Sequence, residues 1–208
     1  MPEKIDDNQD VIDALVASYN AEIETVANYI ANSVNLDGVG AKHIKNSLEA
    51  DIQEELGHAQ MLAKRIKTIG GKVPGSQSLK WTQTMLQPPD DNTDVLAVIK
   101  GVIAAEEAAM AGYEKVIKVA SGVDHATEDL AIELLADEQE HRREFMGFLK
   151  EYEKSAGRER APLTARRART SASSAAAGPR RPCASGPVVR AATSCACSSR
   201  PAPSRNHS

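Results

Sequence analysis

The chain has 208 residues, of which 41% are hydrophobic but only 3% aromatic. That is enough apolar material for one sizeable core, which aliphatic side chains must build, and the balance favours helices over a β-sandwich. No apolar run approaches the roughly 20 residues that span a bilayer, and the N-terminus, MPEKIDDNQD, lacks a basic region followed by an apolar stretch, so a cytoplasmic protein without a membrane partner is expected.

The net charge of −4 combines two unlike parts. Up to Lys154 there are 28 acidic and 15 basic residues, whereas from Ser155 onward there are ten Arg, no Lys and one acid, Glu159. Cys183, Cys195 and Cys197 also fall in this last part, so the body relies on neither disulfides nor thiolate metal sites.

The first predicted helix runs from about Asp7 to Asn35, with an apolar stripe of Ile12, Leu15, Tyr19, Val26, Tyr29 and Ile30. Glu22 falls inside that stripe. Glu24 is rotated by roughly 200° from it, so of the two Glu22 is expected to be buried. After the turn Leu36-Asp37-Gly38-Val39-Gly40, a second helix extends from Ala41 to Ile69 and stops at Gly70-Gly71. Glu55 sits between Ile52 and Ala59 in its stripe, His58 leaves the same face, and Glu54 points to a more polar flank.

Residues 72–92 contain Pro74, Gly75, Pro88 and Pro89. Neighbouring antiparallel helices need only a few linking residues, so this length predicts a crossover along a bundle, with Trp81 and Leu86 as packing anchors. Thr93-Asp94 opens a third helix to Ala120, with Glu106 inside the stripe Val95, Ile99, Val102, Ala109, Tyr113 and Ile117. Ser121-Gly122 breaks the chain, Asp124 is the expected cap of a fourth helix, and Glu138 and His141 lie between that helix's apolar halves. The body is therefore read as residues 1–154. Residues 155–208, rich in Arg, Ala, Ser and Pro without periodicity, are read as a disordered tail of different origin, or alternatively as a basic arm for nucleic acid.

Two stretches of the body repeat one pattern. Glu22 is followed seven residues later by Tyr29, and Glu106 by Tyr113; Glu55-Leu-Gly-His58 in the first copy matches Glu138-Gln-Glu-His141 in the second. Leaving four centrally placed carboxylates buried without counter-charge costs several kcal/mol apiece, and no Lys or Arg falls in the neighbouring stripe positions. Two divalent cations balance four carboxylates. Oxygen ligands with two imidazoles and no thiolate suit iron or manganese. One Glu from each of two helices and Glu-x-x-His from each of two others is a di-iron or di-manganese ligand set.

On Asn20-Ala-Glu22-Ile-Glu-Thr-Val-Ala-Asn-Tyr29 and Glu54-Glu55-Leu-Gly-His58-Ala, residues 10–152 resemble the ferritin-like four-helix bundles of the bacterioferritin sort. The resemblance implies an all-α bundle with a long crossover between helices two and three. It also implies that Glu22 and Glu106 are terminal ligands, that Glu55 and Glu138 bridge two iron ions, and that His58 and His141 bind one each. Tyr29 and Tyr113 stand behind the ligands in that family, although two ordinary core tyrosines satisfy the same pattern. Leu56 stands where haem-binding members carry Met, so haem is not expected, and no fifth helix follows Lys154 to support a 24-subunit cage. His43 and His125 fall outside the set and are expected to face solvent.

The function implied is a homo-oligomeric ferroxidase that oxidises Fe(II) to Fe(III) with dioxygen or hydrogen peroxide, for iron storage or detoxification. A rubrerythrin-like peroxidase and a di-manganese catalase share the ligand set. A helical bundle that binds a partner through a polar core is the non-enzymatic alternative.

Overall fold

Four apolar stripes at helical spacing become four helices: α1 (Ile5–Asn35), α2 (Ala41–Thr68), α3 (Val95–Ala120) and α4 (His125–Glu159). The computed structural model describes residues 5–159, with side chains over 9–155, and no strand occurs among them. None of the described helices is long and apolar enough to cross a membrane. Apart from the end of α4, the helix ends lie within about two residues of those expected from the sequence, a normal scatter for frayed termini. α4 continues to Glu159, beyond the boundary drawn at Lys154. The tail reading for residues 160–208, with its three cysteines, lies outside the described residues.

Local chemistry sets the helix ends. Asp94 caps α3 by accepting a hydrogen bond from the Ala97 amide at 2.9 Å. Asp124 caps α4, accepting from the Thr127 amide at 3.3 Å and the Thr127 hydroxyl at 2.6 Å. Arg65 near the end of α2 reaches the same cap, donating to both Asp124 oxygens at 2.5 Å and to Thr127 Oγ1 at 2.7 Å. Gly70 adopts a φ of 91° just past α2, the left-handed conformation that lets the chain leave a helix.

Two apolar clusters sit at opposite ends of the bundle. One gathers Leu36, Ile44, Leu48, Ile99, Val102 and Phe145 around Tyr29. The other gathers Leu15, Leu62, Ile66, Val116 and Leu134 around Tyr113. The repeated Glu and His residues occupy the layer between them. Ile30, placed in the α1 stripe from its spacing, is instead 48% exposed.

The crossover is held to the outside of the bundle mainly by polar groups. Glu24 accepts hydrogen bonds from the backbone amides of Thr82 and Gln83 at 2.8 and 2.7 Å, and Asn32 donates to the Leu86 carbonyl at 2.9 Å. Met85 and Leu86 then pass so close to α3 that a Cβ on Gly101 would stand 2.7 Å from the Met85 carbonyl oxygen. This covering corrects two expectations. Glu24 is only 4% exposed, so both α1 glutamates are buried, the outer one beneath the crossover. Leu86 (1% exposed) is the apolar anchor, whereas Trp81 is 57% exposed and belongs to neither apolar cluster.

Candidate metal centre

Each helix delivers its polar residues to one layer because they interrupt an apolar stripe that must face inward. Glu22 comes from α1, Glu55 and His58 from α2, Glu106 from α3, and Glu138 and His141 from α4; all six are buried. Their donor atoms fall into two overlapping sets, Glu22–Glu55–His58–Glu138 and Glu55–Glu106–Glu138–His141, with the atoms of each set within 4.8 Å of one another. Glu55 and Glu138 belong to both. The imidazoles of His58 and His141 face each other, nearly parallel, with ring centres 6.2 Å apart. His43 and His125 are exposed and belong to no such grouping among the described residues.

The tyrosines cross between the helix pairs. Tyr113 of α3 donates to Glu22 of α1 at 2.5 Å, and Tyr29 of α1 donates to Glu106 of α3. Each phenol lies at the inner edge of its apolar cluster and spends its one donor on a carboxylate of the opposite half.

A second crossed relationship escaped the sequence reading. His141 Nε2 meets Glu54 Oε2 at 2.7 Å, and His58 Nε2 lies 3.4 Å from Asp137 Oδ2. Glu54 and Asp137 occupy the same register, one residue before Glu55 and Glu138, so an acidic residue at that offset in both copies was the available signal. With the Nε2 atoms engaged outside, the Nδ1 atoms point inward: His58 Nδ1 is 3.1 Å from Glu138, and His141 Nδ1 is 3.4 Å from both Glu55 and Glu138. A carboxylate holding the far nitrogen of an imidazole orients it as a ligand.

The electrostatics follow from this crowding. Burial raises Glu22 and Glu106 well above the usual carboxylate range, reinforced by Glu55 beside Glu22 and by Glu138 beside Glu106. Burial pushes Glu55 upward too, but His141 and His58 outweigh it and hold Glu55 down at about 2; the same imidazoles lower Glu138. Burial disfavours charge on the imidazoles, yet Glu138 and Glu55 prevail and raise His58 to about 10 and His141 to about 12.

Both oxygens of Glu55, Oε2 of Glu138 and Nδ1 of His141 are buried without a hydrogen-bond partner. Orphaned buried polar atoms are costly, and here they converge on one layer. A pair of divalent cations fits that donor set in charge, in ligand type and in the sharing of two carboxylates.

A pocket of about 560 Å³ between α2 and α4 opens onto the two imidazoles. Asp51, Glu54, Asp137, Glu140 and Glu144 line it, with no Lys or Arg. Single-sign lining of this kind concentrates cations at its mouth.

Among proteins of known sequence, the "DNA protection during starvation protein" of Pyrococcus furiosus is 25% identical over 146 residues, covering 67% of this chain and 76% of its own. Among solved structures, a ferritin-like diiron-carboxylate protein from Bacillus anthracis str. Ames is 26% identical with a TM-score of 0.59, covering 69% of this chain and 97% of its own. The bacterioferritin-related protein of Bacteroides fragilis, a dodecameric thioferritin, shares the fold with a TM-score of 0.65 at 23% identity, over 72% of this chain and 90% of its own. The family model of the ferritin-like domain matches residues 12–155, which covers α2 and α3, most of α1 and α4, and every residue of the centre. This chain belongs to the ferritin-like domain family.

Proposed function

We propose that the protein is a non-haem di-iron ferroxidase. The observation that carries this reading is the sharing of Glu55 and Glu138 by both donor sets, which makes room for two cations that touch the same carboxylates. Glu22 and His58 complete one position, and Glu106 and His141 the other. Fe(II) is the substrate, and each pair of ions gives up two electrons. Dioxygen takes up the two electrons and two protons to become hydrogen peroxide; hydrogen peroxide takes up the same number, its O–O bond breaks, and two waters form. Glu55 and Glu138 hold the ions at a fixed separation, the imidazoles complete their coordination, and the apolar clusters on either side exclude bulk water. Glu54 and Asp137 hold the imidazoles in their ligating orientation, and the acidic pocket gathers Fe(II) from solution.

Iron storage or detoxification in the cytoplasm is the physiological role that suits this chemistry. The names of the Pyrococcus and Bacteroides relatives support protection and assembly, and a homo-oligomer is the expected state. Glu55→Ala should abolish Fe(II)-dependent oxygen consumption while the helical fold is retained, as judged by circular dichroism. Undiminished consumption would refute the assignment. Bound manganese with oxygen evolution from peroxide would reassign the centre to a catalase.

A further inference from the structure

A second opening reaches the centre from the opposite face. Between α1 and α3 lies a groove of about 180 Å³ with Glu22 in its lining. The crossover closes the α1–α3 seam alongside Glu24 to Asn32 by the contacts of Thr82, Gln83 and Leu86, and leaves it open from Ala14 to Glu22. Ala17, Ala108 and Lys115 form the exposed rim, Ala21 and Gly112 the half-buried walls, and Ser18 and Glu22 the buried floor.

Three properties of the groove say what it admits. Its volume is below the 300–1,000 Å³ of typical organic-ligand pockets, and a water molecule occupies about 30 Å³ of liquid, so it suits a molecule of a few heavy atoms. Lys115 is the one basic residue of the lining and Glu22 the one acid, in contrast to the five acids opposite, so the rim repels a cation that the other pocket attracts. The Ser18 hydroxyl, in a residue only 6% exposed, has no hydrogen-bond partner and lies in the lining next to Gly112. A buried hydroxyl without a partner favours a guest that can hydrogen-bond to it.

We infer that the α1–α3 groove is a separate access route to the centre, used by hydrogen peroxide, while the cation arrives through the acidic pocket between α2 and α4. The route rests on the di-iron reading and assigns that reaction its hydrogen-bonding oxidant. Hydrogen peroxide is neutral, has two oxygens and both donates and accepts. Dioxygen fits the volume but gains little from Ser18.

The test uses the full chain with Ala17→Leu, Gly112→Ala and Ser18→Ala. Leucine at the exposed rim obstructs the groove from outside. The added methyl at Gly112 would sit 3.4 Å from Ser18 Oγ, narrowing the wall at ordinary contact distance. Anaerobic Co(II) titration, read by absorption, reports the centre independently of turnover, and stopped-flow mixing of Fe(II)-loaded protein with hydrogen peroxide or dioxygen reports access. Ala17→Leu should bind Co(II) with wild-type stoichiometry and react with peroxide about tenfold more slowly, about 1.4 kcal/mol in barrier. Gly112→Ala should slow the same reaction to a smaller degree. Ser18→Ala should slow the peroxide reaction and leave the dioxygen reaction unchanged. Wild-type peroxide rates in both narrowing variants, with Co(II) binding intact, would overturn the route. A Ser18→Ala effect equal for both oxidants would overturn the assignment of peroxide. Failure of the wild-type protein to bind Co(II) would instead overturn the di-iron reading itself.

Discussion

Tyr113 donates its hydroxyl to Glu22 at 2.5 Å, across the interface between α1 and α3, and so fixes a carboxylate that its own helix does not carry. Tyr29 does the same for Glu106 in the opposite direction. Loss of an outer hydrogen bond to a metal ligand costs 10–100-fold in affinity or activity as a rule. Tyr113→Phe should therefore weaken the position completed by Glu22 and His58 about tenfold or more, and Tyr29→Phe the position completed by Glu106 and His141. Co(II) titrations should resolve one weakened and one unaltered site in each variant. Two equally weakened sites would show that the phenols act on the centre as a whole.

Metal binding should release protons. Without a cation, burial pushes Glu22 and Glu106 toward their protonated form, while the imidazoles lower Glu55 and Glu138 and are themselves raised by them, to about 10 for His58 and about 12 for His141. Ligation requires ionised carboxylates and neutral imidazoles, so filling both positions near pH 7 should expel the two imidazole protons together with those held by the raised carboxylates. Affinity must then fall as pH falls, since protons on the raised groups compete with the cation. Calorimetry in buffers of different ionisation enthalpy measures the number, and heats independent of buffer would contradict this account.

Glu24 stabilises the crossover rather than the chemistry. Its two oxygens accept from the amides of Thr82 and Gln83, so Glu24→Ala strands two backbone donors. An unsatisfied buried donor costs about 1–3 kcal/mol, and partial access of water to the freed strap sets the total at about 2 kcal/mol. In a domain of this size the melting temperature should drop by about 4–8 °C. Limited proteolysis should cut first between Gln77 and Gln87, and Co(II) stoichiometry should be unchanged.

Arg65 joins the end of α2 to the cap of α4. Its guanidinium and the Thr127 hydrogen bonds outweigh the partial burial of Asp124 and hold that carboxyl below its usual value. A depressed carboxyl pKa adds stability that is present above its unfolded value and is lost as pH falls through the folded one. Arg65→Ala should cost about 1 kcal/mol at pH 7, discounted for solvent screening. The difference from wild type should shrink at acid pH below the ordinary carboxylate range. A difference that is constant with pH in denaturant titrations would point to lost packing by the arginine stem instead.

Much of this molecule is legible in its sequence because helical periodicity and ligand chemistry are both local. Apolar spacing marks the four helices, the capping aspartates mark where α3 and α4 begin, and a carboxylate interrupting each stripe must be carried inward by the residues around it. The two Glu-x-x-His pairs point to a cation centre because no Lys or Arg falls beside the four carboxylates in their stripes. Relations between helices are not local, and only the tertiary structure decided them. Periodicity assigns Glu24 to the outside of α1, and the crossover then covers it. Trp81 has the right chemistry for an anchor, yet the strap turns it to solvent and anchors through Leu86 and Asn32. Glu54 and Asp137 look like surface acids until the opposite helix brings an imidazole to each. The pairing of Tyr113 with Glu22 and of Tyr29 with Glu106 depends on the lateral register of α1 against α3, which side-chain packing across the interface sets and no single helix encodes.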